Sequence, residues 1–276
     1  TCKIFLMHSG GGIISLENAA DFPVRLVESG PAGGAVFAAH IAARYGLDKV
    51  LSFDMGGTTA KICLIKHQMP KTSRVFEVAR SYRFKKGSGM PISIPVIDMV
   101  EIGAGGGSLA HVDAMRQIRV GPESAGSEPG PACYGRGGDK PAVTDADLVL
   151  GKLDPENFAG GSIALHPDRS EHALTRVLGE VLEMDAGEAA FGLAEVVDEN
   201  MANAARVHAV ENGEDLSDYT MIAFGGAAPL HAGRLCEKLG VDRLLVPPGA
   251  GVGSAIGFLR APFSFEANRS VYMRLS

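Results

Sequence analysis

The chain has 276 residues, 46% of them hydrophobic, enough to bury a substantial core as one large domain or two modest ones. Its formal net charge of −6 argues against a nucleic-acid surface or a polybasic membrane surface. No apolar run approaches the roughly 20 residues of a membrane span, and the N-terminus lacks the basic stretch and long apolar run of a signal peptide.

Cys2, Cys63, Cys133 and Cys236 are scattered without C-x-x-C spacing. Reduced cytoplasmic thiols fit that pattern better than disulfides or a zinc site. Glycine is abundant, at 36 residues, and clustered, which points to special backbone sites. The sequence starts at Thr1 and ends at Ser276 with no polar tail, so it reads as a piece of something longer.

In chain order, Lys3 to Met7 predicts a short strand running into Ser9-Gly-Gly-Gly12. Ser29 is a plausible N-cap, Pro31 suits a first helical turn, and Gly46 a helix stop after Ala35 to Tyr45. Val50 to Phe53, Lys61 to Lys66 and Arg74 to Phe84 predict a three-stranded antiparallel meander, within a segment 47–86. Residues 87–166 are dense in Gly, Pro and Ser, and so long a loop-like stretch is uncommon unless functional. Residues 167–262 return to regular structure. Leu174, Val177, Leu178, Val181 and Leu182 form one helical stripe, and Ala190, Leu193, Val197, Met201 and Ala205 another. Tyr219 to Phe224 predicts a strand, Leu230 to Leu239 a helix stopped by Gly240, Arg243 to Val246 a strand, and Gly253 to Leu259 a last helix. Strands followed by alternating helices and strands predict an α/β fold with a mixed sheet covered by helices.

Two glycine turns carry the candidate chemistry. Asp54 ends an apolar run, and Gly56, Gly57, Thr58 and Thr59 fill the bend that follows. An ordinary hairpin needs only the glycines. Exposed amides, hydroxyls and an acid would also make an anion nest, with Asp54 able to hold hydrated Mg2+. Downstream, Phe224-Gly-Gly-Ala227 leads from a strand into a helix N-terminus, a second place suited to a nucleotide. There is no G-x-x-x-x-G-K-[ST] P-loop, and the run Gly103 to Ser108 lacks the context of a dinucleotide fingerprint.

The pair Asp54-Met-Gly-Gly-Thr-Thr-Ala-Lys61 and Phe224-Gly-Gly-Ala227, in this order, resembles the second lobe of the actin, sugar kinase and heat-shock chaperone ATPase superfamily, whose fold is ribonuclease-H-like. The segments VIDMVEIGAGGGSLAHVD (Val96–Asp113), VGPESAGSEPGPACYGRGG (Val120–Gly138) and AVTDADLVLGKLDP (Ala142–Pro155) resemble the hydantoinase A/5-oxoprolinase family. So do ESGPAGGAVFAA (Glu28–Ala39) and AFGGAAPLHA (Ala223–Ala232). The resemblance implies ATP-dependent hydrolysis of a cyclic amide, with ketone carboxylation, or a nucleotide-binding module without turnover of its own, as alternatives. It implies ATP and Mg2+ as cofactors, a B-type partner subunit, a hetero-oligomer in the cytoplasm, and a further N-terminal lobe. On this reading Asp54, Gly56, Gly57, Thr58 and Thr59 hold the phosphates and metal, and Gly225, Gly226 and Ala227 flank the adenosine. His111 and Asp113 are candidate catalytic residues, and Gly105, Gly106, Gly107 and Ser108 a candidate substrate or insert loop.

Other residues stay open at this level. Lys61 either reaches a phosphate or is the outer side of an alternating strand, and the alternation favours exposure. His111 and Asp113 are equally surface-loop polar residues. Cys133 invites a nucleophile reading, although a small buried thiol explains it better. Asp145 and Asp147 are an acid pair or helix-start residues. Ser29 to Gly34 is an anion site or a close helix contact.

Overall fold

A computed structural model of the protein describes residues 3–79, 81, 87–265 and 271–273. At its centre, β1 (Lys49–Met55) and β2 (Ala60–Lys66) form an antiparallel hairpin. Both are nearly continuous apolar runs, which a strand covered on both faces requires. The third neighbour, β3 (Met99–Ile102), pairs antiparallel with the outer side of β2. On the other side, β6 (Thr220–Phe224) runs parallel to β1, and β7 (Arg243–Leu245) parallel to β6. The insert adds a separate hairpin, β4 (Ser108–Val112) and β5 (Ile118–Ser124). The result is an α/β fold on a mixed sheet, as the sequence predicts.

Alternation along β1 sends its residues to two different cores. Val50 points with Cys63, Ile65, Ile222 and Phe224 towards α1 (Ser29–Tyr45). Leu51, Phe53 and Met55 point towards a larger cluster under α2 (Val143–Val149), α4 (Ala186–Glu211) and α5 (Ala228–Leu239). Phe53 and Phe224 are fully buried, each removing side-chain surface from water at a gain of about 2 kcal/mol. Two further helices complete the layers: α3 (Pro167–Leu174) and α6 (Gly253–Arg260). The long α4 is capped by Asp185, which accepts from the amide of Glu188 while the Glu188 carboxylate accepts from that of Asp185.

Three expectations change. The third strand of the meander is not Arg74 to Phe84. Phe76–Val78 pairs instead with Met90–Ile92 in a two-stranded ribbon, and residues 80 and 82–86 lie outside the described set. β3 takes the place beside β2, with only Met69–Pro70 added at the hairpin's far end. The insert is therefore less irregular than its composition indicates, because a strand of four residues is too short a run to stand out among glycines. Finally, Ser29 is the first residue of α1 and not its cap. Glu28 holds that position in a left-handed conformation, with φ of 61°.

Candidate functional site

Register places the site. Phe224 lies opposite Asp54, Asp54 opposite Lys61, and Lys61 opposite Glu101, so one row crosses the end of the sheet. Cross-strand partners share a face, and this row faces α1. The Asp54 carboxylate is wedged between helices and turn: its Oδ2 accepts from the Ser254 hydroxyl of α6 at 3.0 Å. A β-carbon on Gly34 of α1 would stand 2.9 Å from the same oxygen, and one on Gly225 would stand 2.6 Å from Oδ1. Asp54 thus has a tailored niche. Burial raises its carboxyl above the ordinary range, and Ser254 and Lys61 pull the other way.

The bend after Asp54 is closed by the Gly56 amide donating to the Thr59 carbonyl at 3.1 Å. Its carbonyls are turned inward. Gly56 O accepts from the Gly106 amide at 3.0 Å and Gly57 O from the Gly107 amide at 2.7 Å. The amides of Gly57 and Thr58, by contrast, have no hydrogen-bond partner among the described residues. Tethered carbonyls and open amides leave the loop with free donors, the feature an anion nest uses. Lys61 is half-buried, not fully exposed. Its ammonium donates to Thr59 Oγ1 at 2.5 Å and pairs with Glu101 at 3.3 Å.

The second turn meets the first directly. The Ala227 amide donates to the Met55 carbonyl at 3.0 Å, and the Gly225 amide to Ala250 O at 2.8 Å. Gly225 has φ of 94°, which favours glycine. Gly105, Gly106, Gly107 and Ser108 are buried as a brace under the bend. A β-carbon on Gly105 would stand 2.6 Å from the Thr58 nitrogen.

Two candidates stand apart from this arrangement. Asp113 closes the tip of the β4–β5 hairpin, where it accepts from the amides of Met115 and Gln117 and from Arg119. That tip reaches Val181 through Arg116, and His111 is exposed on β4 opposite Arg119. Asp113 thus serves the hairpin turn, and neither residue hydrogen-bonds Asp54. Cys133 is buried with Leu148 and Leu165, and burial pushes its thiol far above the usual range, as befits an inert core residue. Cys63 and Cys236 are also free and buried, and Cys2 lies outside the described residues.

Asp145 accepts from the amides of Ala132, Cys133 and Ala142 and from the Ser170 hydroxyl, a structural knot. Gly33 and Gly34 of α1 serve close packing, and a β-carbon on Gly33 would stand 2.9 Å from the Ser254 carbonyl. Ser254 itself is missed by sequence reasoning. Its signal is the Gly253 and Gly257 pair flanking it, a mark of a helix pressed against another.

A family model for hydantoinase/oxoprolinase matches residues 1–267. The chain belongs to the hydantoinase/oxoprolinase family. It is 35% identical over 274 residues to the caprolactamase subunit alpha of Pseudomonas jessenii, covering 98% of this chain and 38% of that one. The crystal structure of that ATP-dependent caprolactamase matches with a TM-score of 0.76 over 93% of this chain and 36% of the other, at 34% identity. The nucleotide-free structure of acetone carboxylase, an ATP-dependent enzyme, matches with a TM-score of 0.82, at 29% identity, over 92% of this chain and 34% of that one. The 5-oxoprolinase of Saccharomyces cerevisiae is 31% identical over 271 residues, 94% of this chain and 20% of that protein. This member of the hydantoinase/oxoprolinase family thus spans well under half the length of each of these relatives. Among its described residues no helix is long and apolar enough to cross a membrane.

Proposed function

We propose that this chain is the phosphate-holding lobe of an ATP-dependent enzyme that hydrolyses a cyclic amide. The observation that carries this reading is the bend at Gly56 to Thr59. Its carbonyls are tied to Gly106 and Gly107 while the amides of Gly57 and Thr58 stay open beside Asp54. An ordinary hairpin has no use for that division.

An unactivated lactam resists water because resonance stabilises the amide. Attack of its carbonyl oxygen on the γ-phosphorus of ATP forms a C–O–P linkage and releases ADP. Water then adds to the carbon, the ring C–N bond breaks with a proton passing to nitrogen, and phosphate leaves in the hydrolysis that follows. In phosphoryl transfer the protein's share is positioning and charge stabilisation. The open amides of the bend hold phosphate oxygens. The Lys61 ammonium, held against Thr59 Oγ1, adds positive charge at the rim. Gly225 to Ala227 fix the adenosine side against Met55.

Asp54 suits a hydrated Mg2+ because Gly225 lacks the β-carbon that would crowd Oδ1. Bound there, the ion would neutralise phosphate charge. Among the described residues no group of three or more His, Cys, Asp or Glu side chains is placed to hold a metal by itself, so phosphate oxygens and water would supply most of the ion's ligands beside Asp54. The relatives' subunit names support a hetero-oligomer, here with a B-type partner carrying the hydrolytic half. The free, buried thiols of Cys63, Cys133 and Cys236 suit a cytoplasmic setting.

The test is ADP release by the full-length protein with its partner, across a panel of hydantoin, 5-oxoproline, larger lactams and ketones. The expected result is stimulation by a lactam. Stimulation by ketones alone, with bicarbonate, would assign the carboxylase chemistry of the acetone and acetophenone carboxylase relatives instead.

A further inference from the structure

Behind the site lies a buried ionic cluster that the phosphate chemistry does not use. His231 of α5 is fully buried, with Nδ1 2.8 Å from Asp198 Oδ1 of α4 and Nε2 3.2 Å from Asp147 Oδ2 of α2. Lys152, just after α2, donates to the other oxygen of Asp147 at 2.9 Å. An ionised carboxylate only accepts hydrogen bonds, so an imidazole facing one at each nitrogen must carry both protons. Two negative and two positive charges then balance inside the core. A balanced cluster of this kind tolerates little displacement, because moving one member strands another without a partner.

The helices it joins are those that support the two halves of the site. From α2, Thr144 donates both its amide, at 2.8 Å, and its hydroxyl, at 2.7 Å, to the Gly106 carbonyl. Gly106 in turn donates to Gly56 of the bend. From α5, Ala227 at the helix cap donates to Met55, at the base of the same bend. The links close a ring: bend, Gly106, Thr144, α2, Asp147, His231, α5, Ala227, Met55. We propose that His231 is a positioning residue for the nucleotide, a latch that fixes the phosphate side of the site to the adenosine side through the ring. Resting on the reading of the site given above, this adds a group that touches neither phosphate nor adenosine yet sets the distance between their supports.

Burial works against the charge on His231, but the two aspartates outweigh it and raise the imidazole to about 9, so the latch is closed at neutral pH. The groups facing the ring are Asp147 from α2, Asp198 from α4 and, behind Asp147, Lys152.

The experiment measures ADP affinity of the full-length protein by calorimetry, with thermal melting alongside. His231→Gln and Thr144→Val should each weaken ADP binding about tenfold. The double variant should be little worse than either alone, because Thr144→Val leaves only the backbone amide on Gly106 and so loosens the same ring that His231→Gln opens, and Thr144→Ser should restore affinity by keeping the hydroxyl. Losses that multiply in the double variant would overturn the latch, as would a folded His231→Gln with wild-type affinity. Should His231→Gln fail to fold, hydrogen exchange on the wild type decides: ADP should slow the amides of Val143–Val149 and Ala228–Leu239 together. Protection confined to the bend overturns the proposal. Wild-type protein that binds no ADP defeats the reading of the site itself, an outcome distinct from binding that survives the loss of His231.

Discussion

The two glycine turns differ in why they need glycine. At Gly225 the fold demands it: φ is 94°, and a β-carbon would lie 2.5 Å from the Met55 carbonyl oxygen. At Gly56 and Gly57 the fold demands nothing. Neither has a positive φ, and a β-carbon on either would meet no atom within 4 Å. The Gly225 turn is built around its own backbone, and the Gly56 turn has the open room that the proposed phosphate would fill.

The largest effect expected from breaking that contrast is at Asp54, which belongs to both turns. Asp54→Asn should lower lactam-stimulated ADP release by a factor of about 10²–10³, the usual cost of removing one electrostatic contributor to a transition state. It should not weaken the fold. Burial raises the Asp54 carboxyl, so its ionised form is a burden on the native state that lifts as pH falls. Melting at pH 7 should therefore show the Asp54→Asn variant at least as stable as wild type. Wild-type turnover in the variant would reduce the stretch to a hairpin.

Gly225→Ala should act on the fold first, losing about 3 kcal/mol in urea denaturation through left-handed strain and overpacking. Gly57→Val should do the reverse. Its melting should stay within about 0.5 kcal/mol of wild type, as for a surface substitution, while ADP affinity falls at least tenfold. Equal destabilisation by the two would erase the distinction between them.

Acid and base limbs of stability sharpen it further. The raised His231 adds stability that is complete below its unfolded value near 6.5 and drains away as pH climbs through about 9. Denaturation of the wild type should weaken over that window, and His231→Gln should flatten the dependence. Asp113→Asn, in the exposed hairpin turn, is expected to have the smallest effect: turnover and melting both close to wild type. A large loss of turnover with an intact melt would return Asp113 to the catalytic set.

How much of this was legible follows from period and length. β1, β2, α4 and α5 repeat an apolar pattern over enough residues to be read directly. Asp54 and Gly225 stood out because each ends a strand at a glycine turn, and the parallel pairing of β1 with β6 sets Phe224 opposite Asp54 and so brings the two turns side by side. β3 was illegible, since four residues inside a glycine-rich stretch carry too little pattern. The burial of Gly105 to Ser108 was hidden for another reason: a buried glycine run and an exposed one have the same composition. His231 sat on the apolar stripe of α5 beside Ala228, Ala232 and Leu235, where a sequence shows a misplaced polar residue but not its two acids.

The row Phe224, Asp54, Lys61, Glu101 is held by counting, and counting is unforgiving. Side chains alternate along a strand, so one residue added between Lys49 and Asp54 would turn the carboxylate into the apolar layer that Phe53 and Met55 now fill. The same insertion at His67 and Gln68, both already left-handed at the hairpin's far end, would leave the row untouched. Insertions and deletions should therefore sort along β1 and β2 by direction: damaging towards the Asp54 end, silent away from it. Among descendants of this chain, the hairpin can change length at one end only.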